Sequence, residues 1–169
     1  MPIRLFSGCA ALLALSASAG VPVTGGPAAF AATPPLAWQQ VQTLYIQCLV
    51  ATDRIGERET LQDDLCRRIE RAAAKSAPVP VQAIGFGEPA VIDPANATLL
   101  VHAAVQQVGR SRLLLFSIRP YRAGGVENDI FFGAQPRAVS LSDGADFSAA
   151  LDAAIAAAVS ETLPWQAAR

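Results

Sequence analysis

Residues 98–121, TLLVHAAVQQVGRSRLLLFSIRPY, decide the fold of this chain. Two runs that alternate between apolar and polar residues flank Gly109-Arg110, a two-residue connection typical of a β-hairpin. With this turn the pairs on one side are all apolar: Val105 with Leu114, Ala103 with Phe116, and Val101 with Ile118. The opposite side pairs His102 with Ser117, Leu100 with Arg119, and Thr98 with Tyr121. The register therefore predicts an antiparallel hairpin with one buried face.

A strand and a helix precede the hairpin. Residues 41–50, VQTLYIQCLV, alternate with a period of two, and one side carries Leu44, Ile46, Cys48 and Val50. Residues 56–76 place Leu61, Leu65 and Ile69 at helical spacing, which predicts an amphipathic helix that Pro78 ends. Residues 79–86 then read as a short strand, and Pro80 favours an edge position because proline donates no ladder hydrogen bond.

A strand and a helix also follow the hairpin. Residues 129–141, DIFFGAQPRAVSL, predict a strand broken by Gly133 and Pro136. The last helix repeats apolar residues every four positions, with Asp143 or Asp146 as its cap and Pro164 as its end. Its apolar positions are Phe147, Leu151, Ile155, Val159 and Leu163.

The elements predict an α/β two-layer sandwich in the order β-α-β-β-β-β-α. A strand, a helix and a strand in succession indicate a parallel crossover, and the hairpin adds antiparallel strands, so the sheet is mixed, with four to five strands. Both helices are expected on one face of the sheet. We assign residues 32–40 as a lead-in and residues 41–165 as a single domain.

The amino terminus predicts export. Arg4 precedes an apolar stretch that ends in small residues, which is the pattern of a secretory signal peptide. Two cleavage sites compete, one after Ala19 and one after Ala31, and we favour the second, so residues 1–31 form the signal. We expect a periplasmic or secreted protein with no transmembrane span after cleavage.

Cys48 and Cys66 are the cysteines that remain after cleavage. An even number of cysteines in an oxidising compartment predicts a disulfide, and Cys66 borders the apolar stripe of its helix. A bridge across this loop stabilises the fold by about 3 kcal/mol in the chain-entropy treatment. The spacing is not C-x-x-C, which argues against a redox pair.

Composition excludes several classes of function. The chain has a net charge of −1 and is 52% hydrophobic, so no overall basic field recruits nucleic acid. It has one histidine and no glycine-rich phosphate loop, so we expect no metal and no cofactor. Five arginines on and near the hairpin could nevertheless mark an anionic partner: Arg110, Arg112, Arg119, Arg122 and Arg137.

His102 and Ser117 raise the alternative of a small exported hydrolase. The register places them opposite one another, as nucleophilic catalysis requires. Ser117 lies in mid-strand, however, outside any G-x-S-x-G turn, and no carboxylate is visibly placed to orient the imidazole. The polar side of a one-sided sheet explains the pair without catalysis, and we expect no enzyme.

The polar side of the sheet predicts a binding face instead. Tyr45, Arg119 and Tyr121, with His102, lie on the side that the helices leave uncovered, and Gln47 and Ser117 lie on the same side. Tyrosine and arginine contribute disproportionately to protein interfaces, because they combine large area with a polar end. We expect these residues to bind a partner.

The order of elements over residues 41–163, together with export, resembles small envelope domains of Gram-negative bacteria. These are the TolB amino-terminal domain, the lipopolysaccharide-assembly lipoprotein and the auxiliary lipoproteins of ABC transporters. The resemblance implies a non-catalytic periplasmic accessory that docks on a larger envelope assembly. The expected partner is an envelope protein or an anionic envelope component.

Overall fold

The computed structural model describes residues 38–54, 56–124, 133–141 and 145–166. The predicted signal peptide, residues 1–31, lies outside the described residues, as does the lead-in before Trp38.

The described residues form an α/β two-layer sandwich, as predicted. Its elements, in chain order, are β1 (Thr43–Ala51), α1 (Glu57–Ala73), β2 (Val81–Ala83), β3 (Asn96–Val108), β4 (Ser111–Tyr121), β5 (Arg137–Ser140) and α2 (Ala145–Thr162). A short 3-10 helix, Pro89–Ile92, lies between β2 and β3.

The sheet is mixed and has the strand order β2-β1-β3-β4-β5. β1 runs parallel to both of its neighbours, β2 and β3, and each parallel step needs a crossover; α1 provides the first one. β4 pairs antiparallel with β3 and with β5. β2 is a three-residue edge strand, which fits the position that Pro80 predicts.

The hairpin has the predicted register. Val101 pairs with Ile118, Ala103 with Phe116, and Val105 with Leu114. The ladder closes at Val108 and Ser111, and Gly109 between them adopts a φ of +60°, which a residue without a Cβ accepts at little cost.

The core lies between the sheet and the two helices. α1 packs on β1 and β2, α2 packs on β4 and β5, and the helices also contact each other. Leu44, Ile69 and Phe116 are examples of side chains with almost no exposure. Burial of each such side chain stabilises the fold by roughly 1.5–3 kcal/mol relative to exposure. Both helices therefore cover one face of the sheet.

A disulfide between Cys48 in β1 and Cys66 in α1 fastens the two layers together. Their Cα atoms lie 5.9 Å apart, and Cys48 points to the helix side of the sheet among buried residues. The predicted pairing is confirmed.

The helix ends differ from the predicted ones. α1 ends at Ala73, ahead of Pro78, and the chain leaves it through Ser76, which has a φ of +57°. α2 begins at Ala145, so Asp146 is not its cap but lies in its first turn, where a carboxylate interacts favourably with the helix dipole. Asp143, the other predicted cap, lies outside the described residues.

Neither α1 nor α2 is both long and apolar enough to cross a membrane, and they are the α-helices of the part of the chain that the structure describes.

Candidate functional site

The candidate site is the sheet surface turned away from both helices, called here the open face. Strand residues point alternately to the two faces, so the residues between the buried positions belong to it. On the three central strands it includes Tyr45, Gln47, Leu49, Thr98, Leu100, His102, Ala104, Val108, Leu113, Leu115, Ser117, Arg119 and Tyr121.

The four predicted binding residues all lie on the open face. His102 and Arg119 are exposed, Tyr121 is 37% exposed, and Tyr45 is half-buried. Tyr45 and Tyr121 occupy β1 and β4 at the same level, with Thr98 of β3 between them. At a strand spacing of about 4.8 Å, the two tyrosines are about 10 Å apart.

One end of the open face is covered by the chain itself. The segment of residues 84–95, called here the β2–β3 loop, folds over the beginning of β1 and β3. The Gln47 side-chain amide donates to the Gly85 carbonyl at 2.9 Å, and the Asn96 amide donates to the Ala90 carbonyl at 3.2 Å. Gln47, which the alternation placed on the uncovered side, is consequently only 8% exposed. That expectation of an uncovered Gln47 is wrong.

The β2–β3 loop forms an apolar rim beside the open face. Gln47, Phe86, Glu88 and Ile92 help to line a shallow cavity of about 440 Å³. Phe86 and Ile92 are each 70% exposed. Because two large exposed apolar side chains line the same cavity, this rim is a candidate contact surface.

Exposed apolar area in the described ranges is concentrated on this side of the molecule. Five large hydrophobic side chains are exposed there: Leu49, Val108 and Tyr121 on the open face, and Phe86 and Ile92 on the β2–β3 loop. Leu100, Leu113 and Leu115 are half-buried between them. The outer surfaces of α1 and α2 contribute none of the five.

Charge has the opposite distribution. No strand position on the described part of the open face carries Asp or Glu, and Arg119 is its one arginine. The helical layer is densely charged: Arg68 of α1 donates to Asp64 at 2.8 Å and to Asp152 of α2 at 2.8 Å. These two carboxylates raise the pKa of Arg68. Depletion of acids with retention of tyrosine and arginine is typical of the core of a protein interface.

The five hairpin arginines do not form a single basic patch. Arg112 pairs with Glu57, and Arg137 pairs with Glu161. Arg122 donates to the carbonyls of Pro94 at 2.8 Å and Gln39 at 2.7 Å. Three of the five arginines are therefore engaged within the fold. Of the other two, Arg110 lies in the hairpin turn, and Arg119 is the arginine that the open face presents.

His102 and Ser117 are direct neighbours across β3 and β4. They line a small cavity of about 250 Å³ together with Leu115 and Pro136. No hydrogen bond joins the two side chains, and the described lining of this cavity includes no carboxylate. A Ser–His hydrolase needs both an activated nucleophile and a group that orients the imidazole. The described residues also contain no group of three His, Cys, Asp or Glu side chains that could hold a metal ion.

The apolar part of the site was not among the residues predicted from the sequence. Leu49 and Leu100 alternate with buried residues, so their outward position was readable from the pattern. The contribution of Phe86 and Ile92 was not, because it depends on how the β2–β3 loop returns across the sheet.

Comparisons with known proteins give distant structural neighbours. No family profile matches the sequence, and no curated protein sequence is similar to it. A single-substitution variant of the PelC dodecamer from Paraburkholderia phytofirmans aligns with a TM-score of 0.44 and 15% identity, over 76% of this chain and 91% of that chain. A second structure of the PelC dodecamer from the same organism aligns with a TM-score of 0.43 and 12% identity, over 73% of this chain and 89% of that chain.

Proposed function

We propose that this protein is a non-catalytic accessory of the cell envelope that works by binding another protein through its open face. The observation that carries the proposal is the segregation of surface chemistry. The exposed large apolar side chains of the described ranges lie on the open face and its loop, where the strands carry no acid. When a partner covers a surface of this composition, apolar area is removed from water, and this favours binding.

The compartment is part of the proposal. Arg4, the apolar stretch after it and the small residues at Ala29 and Ala31 support export. The Cys48–Cys66 disulfide is consistent with an oxidising compartment, where such bonds persist. The resemblance to the TolB amino-terminal domain and the envelope lipoproteins named above agrees with an accessory role.

A protein partner fits the open face better than an anionic envelope component does. Arg119 is the one arginine on the face, and the neighbouring β2–β3 loop carries Glu88 and Asp93 but no Lys or Arg. These two acids repel phosphate-rich surfaces, whereas an apolar protein surface gains from Leu49, Leu100 and Phe86.

The hydrolase alternative gains no support from the geometry of His102 and Ser117. The pair lies on a sheet surface within a cavity of about 250 Å³, and neither residue contacts a carboxylate. Activation of a serine requires a base held in a defined orientation.

Site-specific photo-crosslinking in the cells that make the protein tests the proposal. A photoreactive residue at Leu100 or Leu115 should give a defined protein adduct, whereas the same residue at Ala153, exposed on α2, should not. Mass spectrometry identifies the adduct. Absence of an adduct from both open-face positions, or an equal adduct from Ala153, would overturn the proposal.

A further inference from the structure

β2 forms one edge of the sheet, and its backbone groups alternate between two sides. It comes last in the strand order, so β1 is its one strand neighbour in the described ranges. The Pro80 carbonyl accepts from the Leu44 N–H at 2.9 Å, and the Ile84 N–H donates to the Ile46 carbonyl at 2.9 Å. Residues 80, 82 and 84 therefore present their backbone groups to β1.

The N–H and C=O groups of Val81 and Ala83 point the other way, out from the sheet. Within residues 38–54, 56–124, 133–141 and 145–166, no hydrogen bond reaches these four groups. Pro80 does not close this edge, because its ring nitrogen lies on the side of β1, as its carbonyl does. The edge also lacks the charged side chains that commonly protect exposed edges, since residues 76–87 contain no Asp, Glu, Lys or Arg. Two donors and two acceptors are thus available to pair with an extended chain.

A groove lies beside this edge, between β2 and the outer side of α1. Val81 and Ala83 pair with the buried Leu44 and Ile46, so their side chains are on the same face of the sheet as α1. A strand added next to β2, about 4.8 Å further out, directs every second side chain into this groove. The groove has a volume of about 580 Å³ and is lined by Asp64, Arg67, Glu70, Arg71, Ala74 and Val81.

Arg67 and Arg71 give the groove its uncommitted positive charge. Both are exposed, and Nε of each donates to a backbone carbonyl of its own helix at 3.2 Å. None of the ion pairs in the described ranges involves either residue. Asp64 is paired with Arg68 at 2.8 Å, so Glu70 is the one acid of the described lining that forms no ion pair. Two uncommitted cations against one uncommitted anion favour an acidic occupant.

The spacing of the two arginines matches an extended chain. α1 leads from the end of β1 back to the start of β2, and these strands are parallel, so the helix runs along them in the reverse direction. Arg67 and Arg71 are four residues apart, which is about 6 Å along the helix axis. Side chains i and i+2 of a strand are about 6.7 Å apart on one face. Two acidic residues separated by one residue can therefore face the two arginines together.

We propose that the β2 edge binds an extended acidic segment of another protein as an additional strand, with acids at alternate positions facing Arg67 and Arg71. Backbone hydrogen bonds to Val81 and Ala83 recognise the extended chain, and the arginines select its side chains. This surface is separate from the open face, so the inference goes beyond the proposed function and does not depend on it.

Fluorescence anisotropy with the purified protein tests the charge requirement. The probe is a labelled peptide of about eight residues in which aspartate alternates with valine, and a second peptide has lysine in place of aspartate. The lysine peptide should bind at least about tenfold more weakly than the aspartate peptide. Arg71→Glu should weaken binding of the aspartate peptide by about tenfold. Arg58→Glu, the matched control, should not, because Arg58 is exposed in the first turn of α1 and lies outside the groove.

N-methylation of the peptide backbone tests the strand pairing independently of charge. Alternate amides of an added strand point to β2, and the others point to solvent. Methylation of one alternate set should abolish binding, and methylation of the other should change the dissociation constant by less than about threefold. The set that abolishes binding also gives the direction of the added strand.

Ala83→Pro tests the same pairing from the side of the protein. It removes an outward N–H and leaves the ladder to β1 intact, so it should abolish peptide binding while circular dichroism shows a retained fold. If this variant does not fold, the methylated peptides decide.

The outcomes separate this inference from the proposed function. No binding of the aspartate peptide up to about 1 mM, equal binding of the lysine peptide, or an equal effect of Arg58→Glu overturns the added strand. Equal binding of both methylated peptides also overturns it, because charge alone would then explain the affinity. Replacement of both Arg119 and Tyr121 by Ala should leave peptide binding unchanged. Loss of the open-face adducts at Leu100 and Leu115 therefore overturns the proposed function alone, and loss of peptide binding overturns this inference alone.

Discussion

Glu57 and Arg112 form a two-pronged ion pair that joins the first turn of α1 to the first residues of β4. Two guanidinium nitrogens of Arg112 donate to the Glu57 carboxylate, at 3.0 and 2.6 Å. The Thr52 hydroxyl, just after β1, donates to the same carboxylate at 3.1 Å. One carboxylate therefore connects the end of β1, the start of α1 and the start of β4, at the end of the sandwich where the hairpin turn lies.

The Glu57–Arg112 pair predicts a pH-dependent contribution to stability. The hydrogen bonds from Arg112 lower the pKa of Glu57 below its ordinary value of 4.5. A carboxyl with a lowered pKa in the folded state stabilises the fold above its unfolded pKa, and this stability is lost as pH falls through the folded pKa. Glu57→Gln should reduce the free energy of unfolding by about 1 kcal/mol at pH 7, and the difference from the natural protein should shrink below pH 4.

Urea unfolding at pH 7 and at pH 3 measures this difference. Glu59→Gln is the matched control, because Glu59 lies in the same first turn, is exposed, and forms no ion pair. An equal effect of both substitutions, or a Glu57→Gln effect that does not change with pH, would contradict the prediction.

Removal of the disulfide should cause a larger loss of stability than the Glu57 substitution. Replacement of both Cys48 and Cys66 by Ala removes a cross-link between residues 18 apart in sequence. The free energy of unfolding should fall by about 3 kcal/mol, because the unfolded chain regains the entropy that the bridge removed. Thermal unfolding followed by circular dichroism measures the loss. A thiol reductant should destabilise the natural protein by a similar amount and leave the double variant unchanged; any other result counts against a stabilising bridge.

Gly133 predicts a steric effect at the approach to β5. A Cβ atom at this position would lie 2.7 Å from the Ile118 carbonyl oxygen and 3.0 Å from Cγ of Arg119. Because the first of these is a backbone atom, the chain must shift, and Gly133→Ala should destabilise by about 1 to 3 kcal/mol. Gly85→Ala is the control: the nearest atom to its Cβ position is Oε1 of the Glu88 side chain at 4.0 Å, which is an ordinary contact. Equal stability of the two variants would show that the chain at Gly133 has room for a Cβ atom beside the Ile118 carbonyl.

Substitutions on the open face should reduce binding while leaving the stability of the fold almost unchanged. Replacement of both Arg119 and Tyr121 by Ala should change the free energy of unfolding by only about 0.5 kcal/mol per site, because both side chains are exposed. The same double variant should lose the protein adducts formed at Leu100 and Leu115. Ser117→Ala should keep these adducts and the cellular function of the protein. A loss of function with Ser117→Ala, while the fold and adducts persist, would instead favour the hydrolase alternative.

The sequence by itself determined the element order, the hairpin register and the cysteine pairing. Each of these follows from local patterns: alternation in residues 98–121, helical spacing from Leu61 to Ile69, and the two cysteines that lie outside the predicted signal peptide. The face that holds Tyr45, His102, Arg119 and Tyr121 follows from the same alternation, because strand side chains point to opposite sides in turn.

Only the tertiary structure decided the strand order and the shape of the open face. β1 lies between β2 and β3 because two parallel crossovers place it there, and strand pairing over such distances has no local signal. The β2–β3 loop buries Gln47 and exposes Phe86 through hydrogen bonds to backbone carbonyls, which no residue pattern encodes. Arg112 and Arg137 likewise pair with acids of α1 and α2 that lie far from them in sequence. The packing of the two helices therefore decided that these arginines do not join a basic patch.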